Sequence, residues 1–297
     1  MPTSYMCSLK GSCRNAFVCP FSPDRPWRLV VYSDEVVPGN ALSADNRRKM
    51  WVIYISFVEL GPAALSREDS WFCVTAKRSS EVAKVAGGIS QVFSGVLRFM
   101  FGESGFNIKT AGIYLPLGGA IGGTRLFAEL GVILQDGGAH KLVWHCKGDA
   151  GTRFCMLCRN LVSLESDLVA EDSTKLLACS VIHEADLDFA TDSDIRGTVR
   201  RLAAHADRET KAEFIMRQQA VGFTHEPYSI LLDQALESYV APATQFSHDW
   251  MHAIFVHGVF NTVMYLFLEG IIADGGKKVY DIVYDYLALW RGARRIP

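Results

Sequence analysis

Two kinds of metal ligand lie in one short stretch, LFAELGVILQDGGAHKLVWHCKGDAGTRFCMLC, which runs from Leu126 to Cys158. Asp136 follows an apolar run and precedes a Gly-Gly pair, so it is predicted to lie at the end of a strand. A carboxylate at a strand end can hold a hard divalent cation. Cys155 and Cys158 form a Cys-x-x-Cys pair, a spacing that suits two thiolate ligands of zinc. Each feature has an ordinary alternative, since a strand-end aspartate is often a turn former and one cysteine pair is half a zinc site.

A second group of ligands follows near the apolar C-terminal part of the chain. Asp249 and His252 are three residues apart, so they share a face if this segment is helical. Together with Cys155 and Cys158 they would complete a zinc site of four ligands, with His248 competing for the place of Asp249. A histidine in an apolar core remains the alternative for His252.

The elements that must position these residues predict an α/β fold. Ser80 and Gly102 are predicted to begin and end a helix, because apolar residues between them follow a helical period. The short gaps between the first three strands favour an antiparallel meander. The predicted strands are 27–32, 49–60, 70–76 and 128–134. The order strand, strand, strand, helix, strand is that of the ribonuclease-H-like fold, in which the first and fourth strands are neighbours.

This strand order gives Asp34 a chemical interpretation. Asp34 is predicted to end the first strand, so it would lie beside Asp136 at one edge of the sheet. Two carboxylates that close resist joint ionisation unless a cation lies between them. Such a pair is what two-metal phosphoryl transfer requires. A role in a turn is the alternative for Asp34.

Composition limits the class of protein. The chain has 297 residues, of which 49% are hydrophobic, so it can bury a substantial core. The net charge of −2 gives no general attraction to nucleic acid, so any such contact would come from local patches. The eight cysteines show no disulfide-framework spacing, and the N-terminus lacks the apolar region of a signal peptide. We therefore expect a reducing intracellular compartment.

One apolar segment is nearly long enough to span a bilayer. It runs from Ala253 to Ala273 and contains His257, Asn261 and Glu269, which are costly in hydrocarbon. The segment is therefore predicted to be a buried helix of a soluble domain, and no membrane partner is expected.

The region beyond the cysteine pair is predicted to be mostly helical. Residues 192–223 have the pattern of one or two helices. Arg196, Arg200 and Arg201 could face a phosphate backbone, although a solvated helix face is favoured on charge pattern alone. The predicted organisation is therefore a lead-in segment (1–26), an α/β core (27–158) and a helical insertion (159–297).

Three blocks of the sequence, in order, resemble the catalytic core of CACTA-type (En/Spm-like) DNA transposases of the DDE/D group. The first-acid block is YSDEVVPGNALSADNRRKMWVIYISFVEL, and the second is LQDGGAHKLVWHCKGDAGTRFCMLC. The third, DWMHAIFVHGV, is similar to the D-x-M-H block of the family, with one extra residue before Gly258. The matching positions are Asp34, Glu35, Asn40, Leu60, Asp136 (rather than Asp149), Cys155, Cys158, Asp249 and His252.

The resemblance implies a ribonuclease-H-like fold interrupted by a zinc-stabilised helical insertion, and metal-dependent cleavage and transfer of DNA strands at transposon ends. Asp34 and Asp136 would hold Mg²⁺ or Mn²⁺, while Cys155, Cys158 and the D-x-M-H pair would hold a structural Zn²⁺. DNA would be the partner and the nucleus the expected location, with a homo-oligomer left open.

The third acid of the family has no match in a recognisable block. We expect the chain to stop before it, although Glu269, Asp274, Asp281 and Asp285 are available, the last two on the polar side of a predicted amphipathic helix. One alternative is therefore a non-catalytic relic that binds DNA or protein. Another is an unrelated zinc enzyme that uses His248, other histidines and the cysteines with an open coordination position.

Overall fold

A computed structural model describes residues 22–38, 46–102, 106–116, 123–163, 177–178, 183–255, 259–275, 281 and 284–285. The chain divides into two compact units, Met1–His248 and Asp249–Pro297. The predicted boundary at Cys158 falls inside the first unit. The lead-in cysteines Cys7, Cys13 and Cys19, together with Asn40, lie outside the described residues.

The first unit is built on a mixed five-stranded sheet with the order β3-β2-β1-β6-β9, which confirms the predicted α/β class. β1 pairs with β2, and β2 with β3, in antiparallel fashion, whereas β6 is parallel to both β1 and β9. The predicted first and fourth strands, β1 and β6, are therefore neighbours. The strands of this sheet are β1 (Trp27–Val36), β2 (Met50–Phe57), β3 (Phe72–Arg78), β6 (Ala128–Gln135) and β9 (Phe246–His248).

β1 is longer than the sequence predicted. The Ser-Asp-Glu run has turn chemistry, yet Asp34 pairs with Val52, and the strand continues to Val36. Lys49 Nζ also lies 3.1 Å from Glu35 Oε2, which ties this end of β1 to the start of β2. Asp34 therefore lies within the strand, because pairing with β2 overrides the local turn preference.

A helix follows the meander, but it begins later than predicted. Ser80 is not a helix cap, since it lies inside the short helix α2 (Ser79–Val82). Gly87 and Gly88 have φ values of 78° and 56°, which glycine adopts readily, and the main helix α3 (Gly88–Phe101) starts there. Its C-cap is Gly102, as predicted, and the Gly102 N–H donates to the carbonyl oxygen of Arg98.

The hydrophobic core lies between the sheet and the helices on it. Phe93, Leu97 and Phe101 of α3 are fully buried, and their spacing of four residues places them on one face. Leu29 and Ile133 of the two central parallel strands are fully buried as well. Burial of both sides explains why these strands are apolar over most of their length.

The remaining elements of the first unit are short or helical. The predicted helical region from 192 consists of two helices, each beginning with a capping box, at Thr191 with Asp194 and at Thr210 with Glu213. The other elements are α1 (Pro62–Leu65), β4 (Ile113–Pro116), β5 (Gly123–Leu126), α4 (Gly137–Trp144), β7 (Leu161–Val162), β8 (Leu177–Ala178), α5 (Asp192–His205) and α6 (Lys211–Val221).

The second unit contains the apolar helix, and the prediction that this helix is buried is wrong. Its described elements are α7 (Trp250–Ile254) and α8 (Val259–Gly275). Val259, Leu266 and Phe267 of α8 are each about 60% exposed (64%, 62% and 58%). By length and composition alone, Trp250–Gly270 could cross a membrane, and a single such helix is weak evidence for that role.

Candidate functional site

The pairing of β1 with β6 brings the two predicted acids to the same level of the sheet. The two strands are parallel, and Ser33 of β1 is the partner of Gln135 of β6. Asp34 and Asp136 each come directly after one of these paired residues. The two aspartates therefore lie side by side at the same edge of the sheet. A carboxylate pair at the ends of two adjacent strands could hold a divalent cation through oxygen ligands.

Each carboxylate is oriented by a hydrogen bond from its own segment. The Tyr32 hydroxyl lies two residues along the same face of β1 and donates to Asp34 Oδ2 at 3.0 Å. Asp136 caps α4, and its Oδ1 accepts from the backbone N–H of Ala139 at 2.6 Å. The N-terminus of a helix favours a negative charge, so this position suits an ionised aspartate. Glu35, which follows Asp34 in the first-acid block, forms an ion pair with Lys49 instead.

A buried hydrogen-bond chain lies directly behind the two acids. The Trp144 indole N–H donates to Gln135 Oε1 at 2.7 Å, and Gln135 Nε2 donates to Ser33 Oγ at 2.8 Å. All three side chains are fully buried. The chain therefore joins β1, β6 and α4 at the residues that precede Asp34 and Asp136. Sequence reasoning missed it, although a serine and a glutamine inside two apolar strands are a signal for such a contact.

The cysteine pair is assembled in the first unit. Cys158 is buried and Cys155 is partly buried, and the two thiols are close enough to interact. Burial and the neighbouring Cys155 thiol raise the pKa of Cys158 to about 12. Cys158 is therefore a neutral thiol near pH 7 unless a cation favours its thiolate. The donor set fits zinc as two of its ligands, and a bound zinc would supply the positive charge that the thiolates need.

Asp249 and His252 form a contact of their own in the second unit. His252 Nδ1 lies 2.8 Å from Asp249 Oδ2, as their predicted common face requires. Asp249 also accepts from the backbone N–H of Met251 at 2.9 Å and so caps α7. Asp249 therefore orients the ring of His252 through Nδ1.

The four predicted zinc ligands thus form two pairs, one in each unit, and the four-ligand zinc site stays a prediction. Among the residues that the structure describes, no three or more His, Cys, Asp or Glu side chains are grouped so that they could hold a metal ion.

A histidine cluster that the sequence did not predict lies on the buried face of α4. His140 is buried, with Cys146 Sγ 3.4 Å from its Nδ1 and Met156 Sδ 3.3 Å from its Nε2. Its ring stacks on Phe246 of β9 at a centroid distance of 4.1 Å. Burial, then the nearby His248 and Lys141, lower the pKa of His140 to about 3. His140 is therefore a neutral core residue that links α4, β9 and the loop of the cysteine pair.

His248 belongs to the same cluster. Its ring lies 5.3 Å from that of His140 and 4.7 Å from that of Phe246. Burial against these rings lowers the pKa of His248, so its neutral form is favoured. Both are T-shaped aromatic contacts within the first unit.

Of the three arginines of α5, Arg196 differs from both predictions made for it, whereas Arg200 and Arg201 are exposed, as a solvated helix face requires. Arg196 is buried and donates to the carbonyl oxygens of Leu231 and Val240 at 3.1 and 2.7 Å. It therefore faces neither a phosphate backbone nor solvent. Arg200 is paired with Glu237 at 2.6 Å, and Arg201 donates to its own helix at Thr198. Among the described residues, Arg200 is therefore the arginine of this set that pairs with a carboxylate.

In comparisons with known proteins, no family model matches the chain, and no curated protein matches it.

Proposed function

We propose that this chain is the ribonuclease-H-like core of a DNA transposase of the DDE/D group, similar to the CACTA type, and carries two of the acids that DNA strand cleavage at transposon ends requires. The observation that carries the proposal is the parallel pairing of β1 with β6, in which Ser33 faces Gln135 and the two acids follow. The order β3-β2-β1-β6-β9, antiparallel on one side of β1 and parallel on the other, supports it too.

The chemistry follows from the two carboxylates. Mg²⁺ or Mn²⁺, when bound, would help to deprotonate water or a 3′-hydroxyl and would stabilise the leaving oxygen. Asp34 and Asp136 would hold the cation with oxygens whose orientation is set by Tyr32 and by the Ala139 N–H. The buried chain behind them would keep β1 and β6 from shifting relative to each other, so that the spacing of the acids persists.

Cation binding tests the proposal before any turnover is measured. We expect Mn²⁺ to bind to the purified chain and its affinity to fall by at least about tenfold in Asp34→Asn and in Asp136→Asn. Loss of a residue that only hydrogen-bonds to a metal ligand already has an effect of about this size. Asp149→Asn is the matched control, because Asp149 is exposed and paired with Lys141, which lowers its pKa. Equal Mn²⁺ affinity in all three variants, measured by titration calorimetry, would refute the proposed site.

A non-catalytic DNA-binding module is the second candidate. In the part of the chain that the structure describes, no third carboxylate is grouped with Asp34 and Asp136, and this favours binding without cleavage. The two candidates differ in cation binding, since only the transposase core requires Mn²⁺ to bind at Asp34 and Asp136 and to bind less tightly in Asp34→Asn and Asp136→Asn.

A further inference from the structure

A small cavity of about 220 Å³ lies between the loop of the cysteine pair and α5. Three arginines line it: Arg153 and Arg159 from the loop, and Arg201 from the helix. Thr198, the two cysteine side chains and one acid, Asp194, line it as well. The side chains at its wall are thus mostly cationic or neutral, in a protein whose overall charge is −2.

The carboxylates near this cavity already have hydrogen-bond or ion-pair partners. Asp194 Oδ2 accepts from the N–H and the hydroxyl of Thr191, in the box that caps α5. Arg159 contacts Asp188 at 2.6 Å and Asp194 at 3.7 Å. Arg201 donates to Thr198 at 3.1 Å. Of the three guanidinium groups, Arg159 alone has an ion pair with a carboxylate among the described residues, and Asp188 lies outside the cavity wall.

Arg153 is the arginine of this cavity whose charge none of these contacts neutralises. It is partly buried, and its side chain has no hydrogen bond or ion pair within the described ranges. The guanidinium is partly desolvated, and the neighbouring charge that acts on it is the positive charge of Arg159. An arginine keeps its charge in proteins, so this is a partly desolvated cation whose charged neighbour has the same sign.

The backbone at Arg153 is held firmly enough to fix this charge. The Thr152 N–H donates to the carbonyl oxygen of Gln219 at 3.0 Å. Gly222, the C-cap of α6, has a φ of 78°, and a Cβ there would lie 2.3 Å from the carbonyl oxygen of Arg153. Only glycine allows these two backbone segments to approach so closely. The loop of the cysteine pair therefore packs directly against the end of α6.

We infer that this cavity, the arginine pocket, binds a phosphate group of a DNA backbone. An anion would neutralise Arg153 and accept hydrogen bonds from the planar guanidinium groups, which match phosphate geometry. The cavity is smaller than the roughly 300–1,000 Å³ of pockets for whole small molecules, so it suits one phosphate rather than a nucleotide. The inference rests on the proposed function only in naming DNA as the source of the phosphate.

Salt dependence of DNA binding tests the inference in the full chain. Each phosphate contact contributes about 0.9 to the slope of log affinity against log salt. We expect Arg153→Gln and Arg201→Gln each to lower the slope for a 30-base-pair duplex of mixed sequence by about one. We expect a loss of affinity of about tenfold at low salt. Arg200→Gln is the control, because it removes the same charge from the same helix outside the pocket, where Glu237 pairs with it.

Several outcomes decide the matter. If all three variants lose the same affinity and slope, or if Arg153→Gln changes neither, the arginine pocket does not contact DNA. A melting temperature of Arg153→Gln equal to or above that of the wild type is expected, since an uncompensated cation is removed. The exposed Arg201 provides the test if Arg153→Gln does not fold.

Inorganic phosphate separates the two sources of the ligand. We expect phosphate to raise the melting temperature of the wild type and not that of Arg153→Gln. If phosphate acts in this way while the DNA slope is unchanged, the pocket binds free phosphate and DNA as its source is ruled out. Mn²⁺ binding by Asp34 and Asp136 should be unchanged in every arginine variant. Absence of Mn²⁺ binding in the wild type would count against the proposed function and not against the pocket.

Discussion

Replacing Gln135 with leucine should destabilise the first unit out of proportion to the change in volume. Gln135 is fully buried, accepts from the Trp144 indole at 2.7 Å and donates to Ser33 at 2.8 Å. Leucine is of similar size but removes both bonds. Each buried polar group left without a partner costs about 1–3 kcal/mol, and the Ser33 hydroxyl can rotate to relieve part of its share. We expect a loss of about 3 kcal/mol, which corresponds to roughly 6–12 °C in melting temperature.

Two comparisons make this prediction sharp. Gln219→Leu is the matched control, because Gln219 Oε1 is buried without a hydrogen-bond partner in the described part of the chain, and its loss should be neutral or stabilising. The double variant Gln135→Leu/Trp144→Phe removes both ends of one bond, so it should cost at least about 1 kcal/mol less than the sum of its parts. Thermal and urea unfolding give the values. Costs of Gln135→Leu below about 0.5 kcal/mol, or strict additivity, would show that the chain does not hold the strands together.

The remaining predictions concern pH, zinc and activity. The pKa of His140 is about 3 in the folded state and about 6.5 in the unfolded state, so the unfolded state gains a proton as the pH falls through this range. The free energy of unfolding should therefore decline by up to roughly 1.4 kcal/mol per pH unit below pH 6.5. His140→Phe should flatten this dependence of stability on pH. A flat wild-type profile would contradict the burial of a neutral imidazole. If Cys155 and Cys158 hold zinc, a chelator or Cys155→Ser should lower the melting temperature markedly, whereas Cys7→Ser should change it little; metal analysis without zinc and melting unaffected by chelator would exclude the site. Purified chain should not nick plasmid DNA with Mn²⁺, and nicking that disappears in Asp136→Asn would mean that a further acid, such as Glu269, completes the site.

Local signals in the sequence were sufficient for the elements that depend on local contacts. Apolar runs predicted β1, β2, β3 and β6. In β1, β2 and β6 the run reflects burial along the strand, whereas β3 is mostly exposed. Gly102 ended its helix as predicted, and the common face of Asp249 and His252 followed from helical spacing alone. The start of α3 was misjudged, since the left-handed glycines at 87 and 88 outweighed a good capping residue at Ser80.

Only the tertiary structure decided which distant residues meet. β9 has three residues, of which Phe246 alone is buried, so it has no periodic signal and is a strand only because β6 pairs with it. Arg196 resembled a surface cation until carbonyl groups 35 and 44 residues away satisfied it. The contact between Ser33 and Gln135 joins residues 102 positions apart. The hydrogen bonds and burial that fix such contacts depend on three-dimensional packing, and no short-range pattern of residue types encodes them.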